Sequence, residues 1–170
     1  HPSGCLTTHF LSDGAVTELG WAANVTCTNV CTNVVINTAD DGPGSLRFAL
    51  NCNAPGTEIL FNVMLAGDTI ELQQPIELSQ NFQIVNTAGT KVVIKTQAGG
   101  PVFKINTLAK LTLDNVKVLA GTGSNGRAID NAGTLTLKNV EVADHVNGVG
   151  GNLIKNTGAL NIEGITNLKE

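Results

Sequence analysis

Aromatic and charged residues are scarce in this sequence. Its 170 residues include no tyrosine, one tryptophan and five phenylalanines, and 14% of them are charged. The ten lysines and arginines stand singly and the formal net charge is −4, so no basic stripe is present. A nucleic-acid partner is therefore not expected, because such a partner requires clustered positive charge. The enrichment in Ala, Glu, Lys and Leu at a 3.6-residue period that marks helical bundles is also missing.

Long hydrophobic runs are missing as well. No apolar stretch approaches the roughly 18 residues that a membrane-spanning helix needs, so membrane insertion is not expected. The sequence starts at His1 and contains no signal-like apolar segment. We interpret the chain as processed after export or as an excised piece.

Cysteine is absent beyond the first third of the chain, where four residues occur: Cys5, Cys27, Cys31 and Cys52. An even number near one end indicates a disulfide-tied region of an exported protein, extracellular or at the cell surface. Zinc is the alternative, because Cys27 and Cys31 lie close together, but His9 is the only further ligand nearby. Asp40 and Asp41 fit a turn better than a calcium site. We therefore expect no metal and no cofactor.

A short helix is predicted after the first β-branched run. Residues 33–37, "NVVIN", predict a strand, and "TADDGPGS" is a turn cluster. Ser45 is a favourable N-cap for the helix "LRFALNCN". Leu46, Ala49 and Leu50 lie at i, i+3 and i+4, which gives this helix one apolar face.

What the sequence does contain is a repeat. Residues 109–118 read "AKLTLDNVKV", residues 133–142 read "GTLTLKNVEV", and residues 158–167 read "GALNIEGITN". Aligned at a period of 24–25 residues, the apolar positions fall into four columns: Ile105, Ile129 and Ile154; Leu111, Leu135 and Leu160; Leu113, Leu137 and Ile162; Val116, Val140 and Ile165. Several short strands per repeat at this period indicate a solenoid whose coils stack about 4.8 Å apart.

A parallel β-helix is the architecture that fits this repeat. Residues 57–170 have room for roughly four to five coils of about 24 residues, with each strand pairing with its copy in the next coil. Asn115 and Asn139 occupy equivalent turn positions, where their amides form a ladder along the stack. The third copy has Gly164 at this position, so the ladder is expected to stop there.

Residues 37–50 resemble a known family. Many secreted bacterial surface proteins open a right-handed parallel β-helix with a motif that matches Asn37-Thr38, Asp41-Gly42, Gly44-Ser45-Leu46-Arg47 and Ala49-Leu50. The strands "APGTEILF" and "DTIEL" and the asparagine-rich coils follow in the same order. The chain thus resembles the polymorphic outer-membrane and adhesin-like β-helix repeat proteins of Bacteroidota type over residues 33–170. The resemblance implies adhesion or surface display and no shared catalytic residues.

The resemblance also suggests a role for the opening helix. A β-helix end exposes an unpaired edge, and the helix 46–52 would seal it with Leu46, Ala49 and Leu50. Cys52 would then return close to Cys31, so we predict a Cys31–Cys52 disulfide, which leaves Cys5 and Cys27 as the second pair. A closed loop of about 20 residues stabilises a fold by roughly 3 kcal/mol.

The expected organisation is an all-β, right-handed parallel β-helix with a capping helix. It has an irregular cysteine-containing segment over 1–32, an opening strand and capping helix over 33–56, and coils over 57–170. No catalytic residue is expected, because the acids of the repeats stand singly: Asp114, Asp130, Glu141, Asp144 and Glu163.

The leading functional hypothesis is a non-catalytic structural or adhesive segment of a secreted or cell-surface protein. One alternative is a subunit of an extracellular fibre formed by coil stacking, and another is a polysaccharide-binding or lyase-like β-helix. The expected partners are a continuation of a longer chain or another copy at the C-terminal coil, and surface glycans.

Overall fold

The computed structural model describes residues 30–97, 99–121, 127–143 and 153–169. The chain divides into two compact units, His1–Val30 and Cys31–Glu170, and every element described below belongs to the second. Cys5, Cys27 and Asp144 lie outside the described residues, and so does the expected Cys5–Cys27 pair.

The second unit is built from short strands, with one α-helix and one 3-10 helix among its described residues. In chain order the elements are β1 (Val34–Val35), α1 (Leu46–Cys52), β2 (Glu58–Phe61), the 3-10 helix (Val63–Leu65), β3 (Thr69–Leu72), β4 (Ile76–Leu78), β5 (Phe82–Val85), β6 (Val92–Thr96), β7 (Phe103–Ile105), β8 (Lys110–Asp114), β9 (Val116–Leu119), β10 (Ile129–Asn131), β11 (Thr134–Lys138), β12 (Glu141–Ala143), β13 (Ile154–Asn156), β14 (Ala159–Glu163) and β15 (Asn167–Lys169). Neither of these two helices is long and apolar enough to cross a membrane.

The strands form three sheets, and every described pairing is parallel. Sheet A has the order β1-β2-β5-β8-β11-β14, sheet B the order β3-β6-β9-β12-β15, and sheet C the order β4-β7-β10-β13. From β2 onward the chain visits sheets A, B and C in turn and returns to sheet A one layer further along. The predicted all-β stack of parallel coils with a short helix is confirmed.

Two of the predicted apolar columns are confirmed by the register of sheet A. Leu135 pairs with Leu111 on one side and Leu160 on the other, and Leu137 pairs with Leu113 and Ile162 in the same way. The reason is the two-residue period of a strand, which turns Leu111 and Leu113 inward. The intervening threonines face outward.

A third column was predicted with one wrong member. Ile129 and Ile154 lie in register with Phe103, whereas Ile105 lies opposite Asn131. The corner 106–109 between β7 and β8 has four residues, and the corner 132–133 between β10 and β11 has two. Because the corner after β7 is two residues longer, β7 is shifted by two residues relative to β10. Ile105 therefore still points inward, but it pairs with Asn131 instead of Ile129.

The fourth column also contains an error, because Ile165 is 78% exposed. The corner 164–166 between β14 and β15 is one residue longer than the corner 139–140 in the preceding coil. Thr166 therefore takes the place beside Val140, and its hydroxyl accepts a hydrogen bond from the Val140 N–H at 3.4 Å.

One hydrophobic core runs through the described coils. Phe103 is its largest fully buried side chain, and Leu46, Ala49 and Leu50 of α1 belong to the same core. Among the described residues, every buried side-chain nitrogen or oxygen has a hydrogen-bond partner. Side chains therefore fill the interior of the coils, and candidate functional groups are to be sought on the outer faces, at the corners and at the ends.

Candidate functional site

The corner between sheets A and B carries the predicted turn residues. Asn115, Asn139 and Gly164 follow β8, β11 and β14, with φ angles of 54°, 51° and 63°. Asparagine and glycine tolerate this left-handed conformation better than other residues do. A Cβ atom at Gly164 would lie 2.5 Å from the Asn139 side-chain oxygen, so the third corner also requires glycine for space.

Hydrogen bonds join these corners from coil to coil. The Asn115 amide donates to the backbone carbonyls of Asn86 at 2.9 Å and Ala88 at 2.7 Å. The Asn86 amide donates in return to the Asn115 carbonyl at 3.1 Å. The Asn139 side-chain oxygen accepts from the backbone N–H of Ile165 at 3.1 Å. The side chains thus satisfy backbone groups of neighbouring coils rather than one another.

Two members of this corner were not recognised in the sequence. Asn86 lies outside the repeated motif, and its position directly after β5 was the signal that could have identified it. Lys91 donates to the Asn115 side-chain oxygen at 3.0 Å and to the Asn139 carbonyl, so one ammonium links three layers. A single lysine at the end of the turn 86–91 carries no pattern that predicts such a contact.

A second asparagine stack was also missed, on sheet C. The Asn131 amide is buried and donates to the Asn156 side-chain oxygen at 2.6 Å and to the Ala159 carbonyl at 2.8 Å. Its own side-chain oxygen accepts from the Gly133 N–H at 3.1 Å. This stack holds the corner between sheets C and A.

The helix α1 has the predicted cap and apolar face. The Ser45 hydroxyl accepts a hydrogen bond from the Phe48 N–H at 3.2 Å, and Leu46, Ala49 and Leu50 are its buried residues. The helix stands between β1 and β2, where later coils have strands of sheets B and C.

The position of α1 over the first three-stranded coil is held by Arg47. Its guanidinium pairs with Asp40 at 2.8 Å and donates to the carbonyls of Gln74 and Pro75, directly before β4. Asp41 accepts a hydrogen bond from the Gly42 N–H at 2.7 Å. Both acids of this turn therefore act within the fold, Asp41 on the turn backbone and Asp40 on Arg47.

A disulfide ties the end of α1 to the segment before β1. Cys31 and Cys52 are joined with their Cα atoms 5.7 Å apart. Of the two expected pairs, this is the one within the described residues.

The outer faces carry ion pairs between consecutive coils on all three sheets. They are Glu71–Lys95 at 3.0 Å, Lys117–Glu141 at 2.8 Å and Lys169–Glu141 at 3.4 Å on sheet B, Glu77–Lys104 at 2.8 Å on sheet C, and Lys138–Glu163 at 3.3 Å on sheet A. Because parallel in-register strands place equivalent positions side by side, each lysine meets a carboxylate one layer away.

Two of these carboxylates have lowered pKa values. The hydrogen bond from Lys95 holds the pKa of Glu71 below its ordinary value. The hydrogen bond from Lys117 does the same for the pKa of Glu141, with a smaller contribution from Lys169. Both carboxylates are therefore ionised at neutral pH.

A shallow groove of about 170 Å³ lies on the outer face of sheet C. Lys104, Asp130 and Lys155 stand side by side along it, because their strands are in register. Asp130 pairs with Arg127 at 3.2 Å. Of the described residues that line this groove, Asp130 is the one carboxylate and none is aromatic. No group of three or more metal-ligating side chains occurs among the described residues.

The last described coil exposes apolar side chains that its predecessor buries. Ile162 is 51% exposed and Leu168 is 49% exposed, although their counterparts in the preceding coil, Leu137 and Val142, are fully buried. β13, β14 and β15 each stand at the end of their sheet.

Comparisons of this chain with protein-family models, with curated proteins and with solved structures find no match.

Proposed function

We propose that this chain is a non-catalytic structural and adhesive β-solenoid segment of an exported cell-surface protein. The observation that carries the proposal is the set of ion pairs that join consecutive coils on all three sheets. The charged side chains of these pairs are held by neighbours within the fold, which favours a structural role for them.

The pKa values favour a structural role for these acids. A general base works best when its pKa lies near the operating pH. The hydrogen bonds from Lys95 and Lys117 lower the pKa values of Glu71 and Glu141, which makes these carboxylates weaker bases.

Export is supported by the Cys31–Cys52 disulfide, because disulfides persist mainly in oxidising compartments. The likeness of residues 37–50 to the opening motif of polymorphic outer-membrane and adhesin-like proteins supports the finer proposal. On that proposal the chain is a right-handed module of this bacterial type, displayed at the cell surface.

The polysaccharide alternative has one observation in its favour, the groove on sheet C. Lys104 and Lys155 flank Asp130 there, which is an arrangement that attracts acidic sugars. A lyase or hydrolase, however, needs clustered acids or an acid with a free base, and Asp130 is paired with Arg127. We therefore assign this groove at most an adhesive contact.

The proposal is tested by incubating the chain with acidic and neutral polysaccharides while measuring both product release and retention. We expect no shortening of any polysaccharide, and retention of chain-coated beads on glycan surfaces under flow. Heat-unfolded chain on the same beads is the control for non-specific adhesion.

The variant Asp130→Asn separates catalysis from binding. Turnover by the wild-type chain that Asp130→Asn abolishes would show an enzyme and overturn the structural proposal. Retention that is equal for folded and unfolded chain would remove its adhesive part.

A further inference from the structure

The turn between β1 and α1 contains an aspartate that is followed directly by a glycine, Asp41-Gly42. The Gly42 N–H donates a hydrogen bond to the Asp41 side-chain oxygen Oδ1 at 2.7 Å. Because the carboxyl carbon is one bond away from this oxygen, the Gly42 nitrogen lies beside the carbon with which it can close a five-membered ring. Reactions are favoured when the reacting atoms are held about 3–3.5 Å apart in this way.

The surroundings of this pair leave the nitrogen and the carboxyl group accessible. A Cβ atom at Gly42 would meet no described atom within 4 Å, and its φ of +90° is a conformation that favours glycine. Asp41 is exposed to solvent. Among the described residues no cation pairs with Asp41, whereas Arg47 pairs with the neighbouring Asp40 at 2.8 Å. The Asp41 carboxyl is therefore held by Gly42 and open to water.

The other aspartates in the described part of the chain lack this arrangement. They are Asp40, Asp68, Asp114 and Asp130, and each is followed by a residue with a side chain that crowds the backbone nitrogen. After Asp114, moreover, the backbone N–H of Asn115 donates to the Lys138 carbonyl at 3.0 Å, so it is engaged between coils. A second Asp-Gly pair, Asp13-Gly14, lies outside the described residues.

The reaction that this geometry favours is the formation of a succinimide, and it needs no further reactant. The Gly42 nitrogen bonds to the carbon of the protonated Asp41 carboxyl group, and the hydrogen of the nitrogen leaves with the carboxyl hydroxyl as water. A water molecule then opens the ring at either carbonyl. Opening at the side-chain carbonyl restores aspartate. Opening at the main-chain carbonyl gives isoaspartate, whose backbone runs through the Cβ atom and is longer by one methylene.

A longer backbone at this position affects the contacts that tie the turn to its neighbours. The Gly44 carbonyl accepts hydrogen bonds from the N–H groups of Ile36 at 2.9 Å and Asn37 at 3.3 Å. The Ser45 N–H donates to the Gly42 carbonyl at 3.1 Å, directly before α1. An added methylene between Asp41 and Gly42 shifts these groups relative to one another, so it weakens the attachment of α1 to the end of β1.

We propose that Asp41-Gly42 is a self-modification site, at which the folded chain forms a succinimide and then isoaspartate, and that this change loosens the helix α1. The observation that carries the proposal is an exposed carboxyl group within hydrogen-bond distance of an uncrowded glycine nitrogen. The inference goes beyond the structural and adhesive function and does not depend on it.

The first test is incubation of the folded chain at physiological temperature in water enriched in heavy oxygen, followed by digestion in ordinary water. Each cycle of ring closure and opening inserts one heavy oxygen, and electron-transfer fragmentation distinguishes isoaspartate from aspartate. We expect label and isoaspartate at position 41 and none at Asp68, Asp114 or Asp130. Peptide mapping reads Asp13 separately. A synthetic peptide of residues 36–47 should take up label several-fold more slowly, because it does not hold the nitrogen at the carboxyl carbon.

The variant Asp41→Glu keeps the charge but requires a larger ring, so we expect it to lose the label at position 41. Asp40→Glu is the matched control, since it changes the adjacent acid, and it should take up label like the wild type. Circular dichroism and urea unfolding check that both variants fold. An unlabelled wild type, a folded chain that reacts more slowly than the peptide, or label that persists at position 41 in Asp41→Glu would each overturn the proposal.

Hydrogen exchange tests the effect on α1. Wild-type chain is aged until most molecules carry isoaspartate at position 41, and it is compared with fresh chain and with Asp41→Glu aged in the same way. We expect the amides of α1 to exchange faster in the aged wild type alone, while those of β8 stay unchanged. Unchanged exchange of α1 in the aged wild type would contradict the loosening of the helix.

Discussion

Individual residues in the corners carry constraints that their neighbours do not. Asn115 combines a left-handed backbone, at φ 54°, with two amide hydrogen bonds to the preceding coil. Asn115→Gly removes the hydrogen bonds without backbone strain, whereas Asn115→Ala adds about 1–2 kcal/mol for the left-handed conformation. We expect both variants to unfold at lower denaturant concentration, and the alanine variant to be the less stable.

The comparison between the two variants makes this prediction specific. Urea unfolding followed by circular dichroism gives both free energies under the same conditions. Equal free energies of unfolding for the alanine and glycine variants would show that the left-handed backbone at position 115 does not destabilise the alanine variant.

Gly133 is constrained by space rather than by its φ angle. A Cβ atom there would lie 2.5 Å from the Asn106 carbonyl oxygen and closer still to that of Ala109. Since backbone cannot move aside without disturbing the strand pairing, we expect Gly133→Ala to lose about 3 kcal/mol of unfolding free energy, the upper range for overpacking.

Gly89→Ala is the matched control for this substitution. A Cβ atom at Gly89 meets nothing within 4 Å, so we expect a change of about 0.5 kcal/mol or less. Thermal or urea unfolding measures the stability of both variants. Equal losses of unfolding free energy in Gly133→Ala and Gly89→Ala would mean that the corner at Gly133 accommodates a methyl group.

At the scale of the element, a strand changes the pKa values of carboxylates on the strand that pairs with it. Glu141 of β12 lies between Lys117 of β9 and Lys169 of β15, at 2.8 and 3.4 Å. The hydrogen bond from Lys117 is the largest cause of its lowered pKa. We therefore expect Lys117→Met to raise the pKa of Glu141 more than Lys169→Met does, as measured by NMR titration of the carboxyl carbon.

The sign of the effect on stability follows from the direction of this pKa. A carboxylate with a pKa lowered on folding adds stability above its unfolded pKa and loses it as the pH falls through the folded value. The wild-type chain should thus lose more stability on acidification than Lys117→Met loses. If the pKa of Glu141 rose more in Lys169→Met than in Lys117→Met, the stronger of its two ion pairs would be the one with β15, contrary to this prediction.

At the scale of the whole molecule, a stack of coils is stabilised layer by layer. Each layer gains mainly from its nearest neighbours, so layers with two neighbours open less often than those with one. The amides of β14, which stands at the end of sheet A, should therefore exchange with solvent fastest in this sheet, and those of β8 slowest.

Hydrogen exchange with mass spectrometry measures this gradient. The strand β2 is the internal control, because it lies near the other end of sheet A and is covered by β1. Uniform exchange across β2, β8 and β14 would mean that the coils open as one cooperative unit.

The architecture was predictable because a solenoid repeats its pattern. Leu111, Leu135 and Leu160 fall into one column by sequence spacing alone, and the register agrees. Ile105 and Ile165 were misplaced because corners of different length intervene, and a corner length has no apolar period that reveals it. The contacts of Asn86 and Lys91 could not be predicted either, because they join different layers and depend on the register between distant strands.

The sequence by itself determined the parallel stack, the capped helix and the turn positions of Asn115 and Asn139, because strand alternation, helix spacing and turn chemistry are local. Only the tertiary structure decided which lysine meets which carboxylate, which residues share the corner with Asn115, and which apolar side chains remain uncovered. These depend on the register between distant strands, and that register is set by corner lengths and packing together.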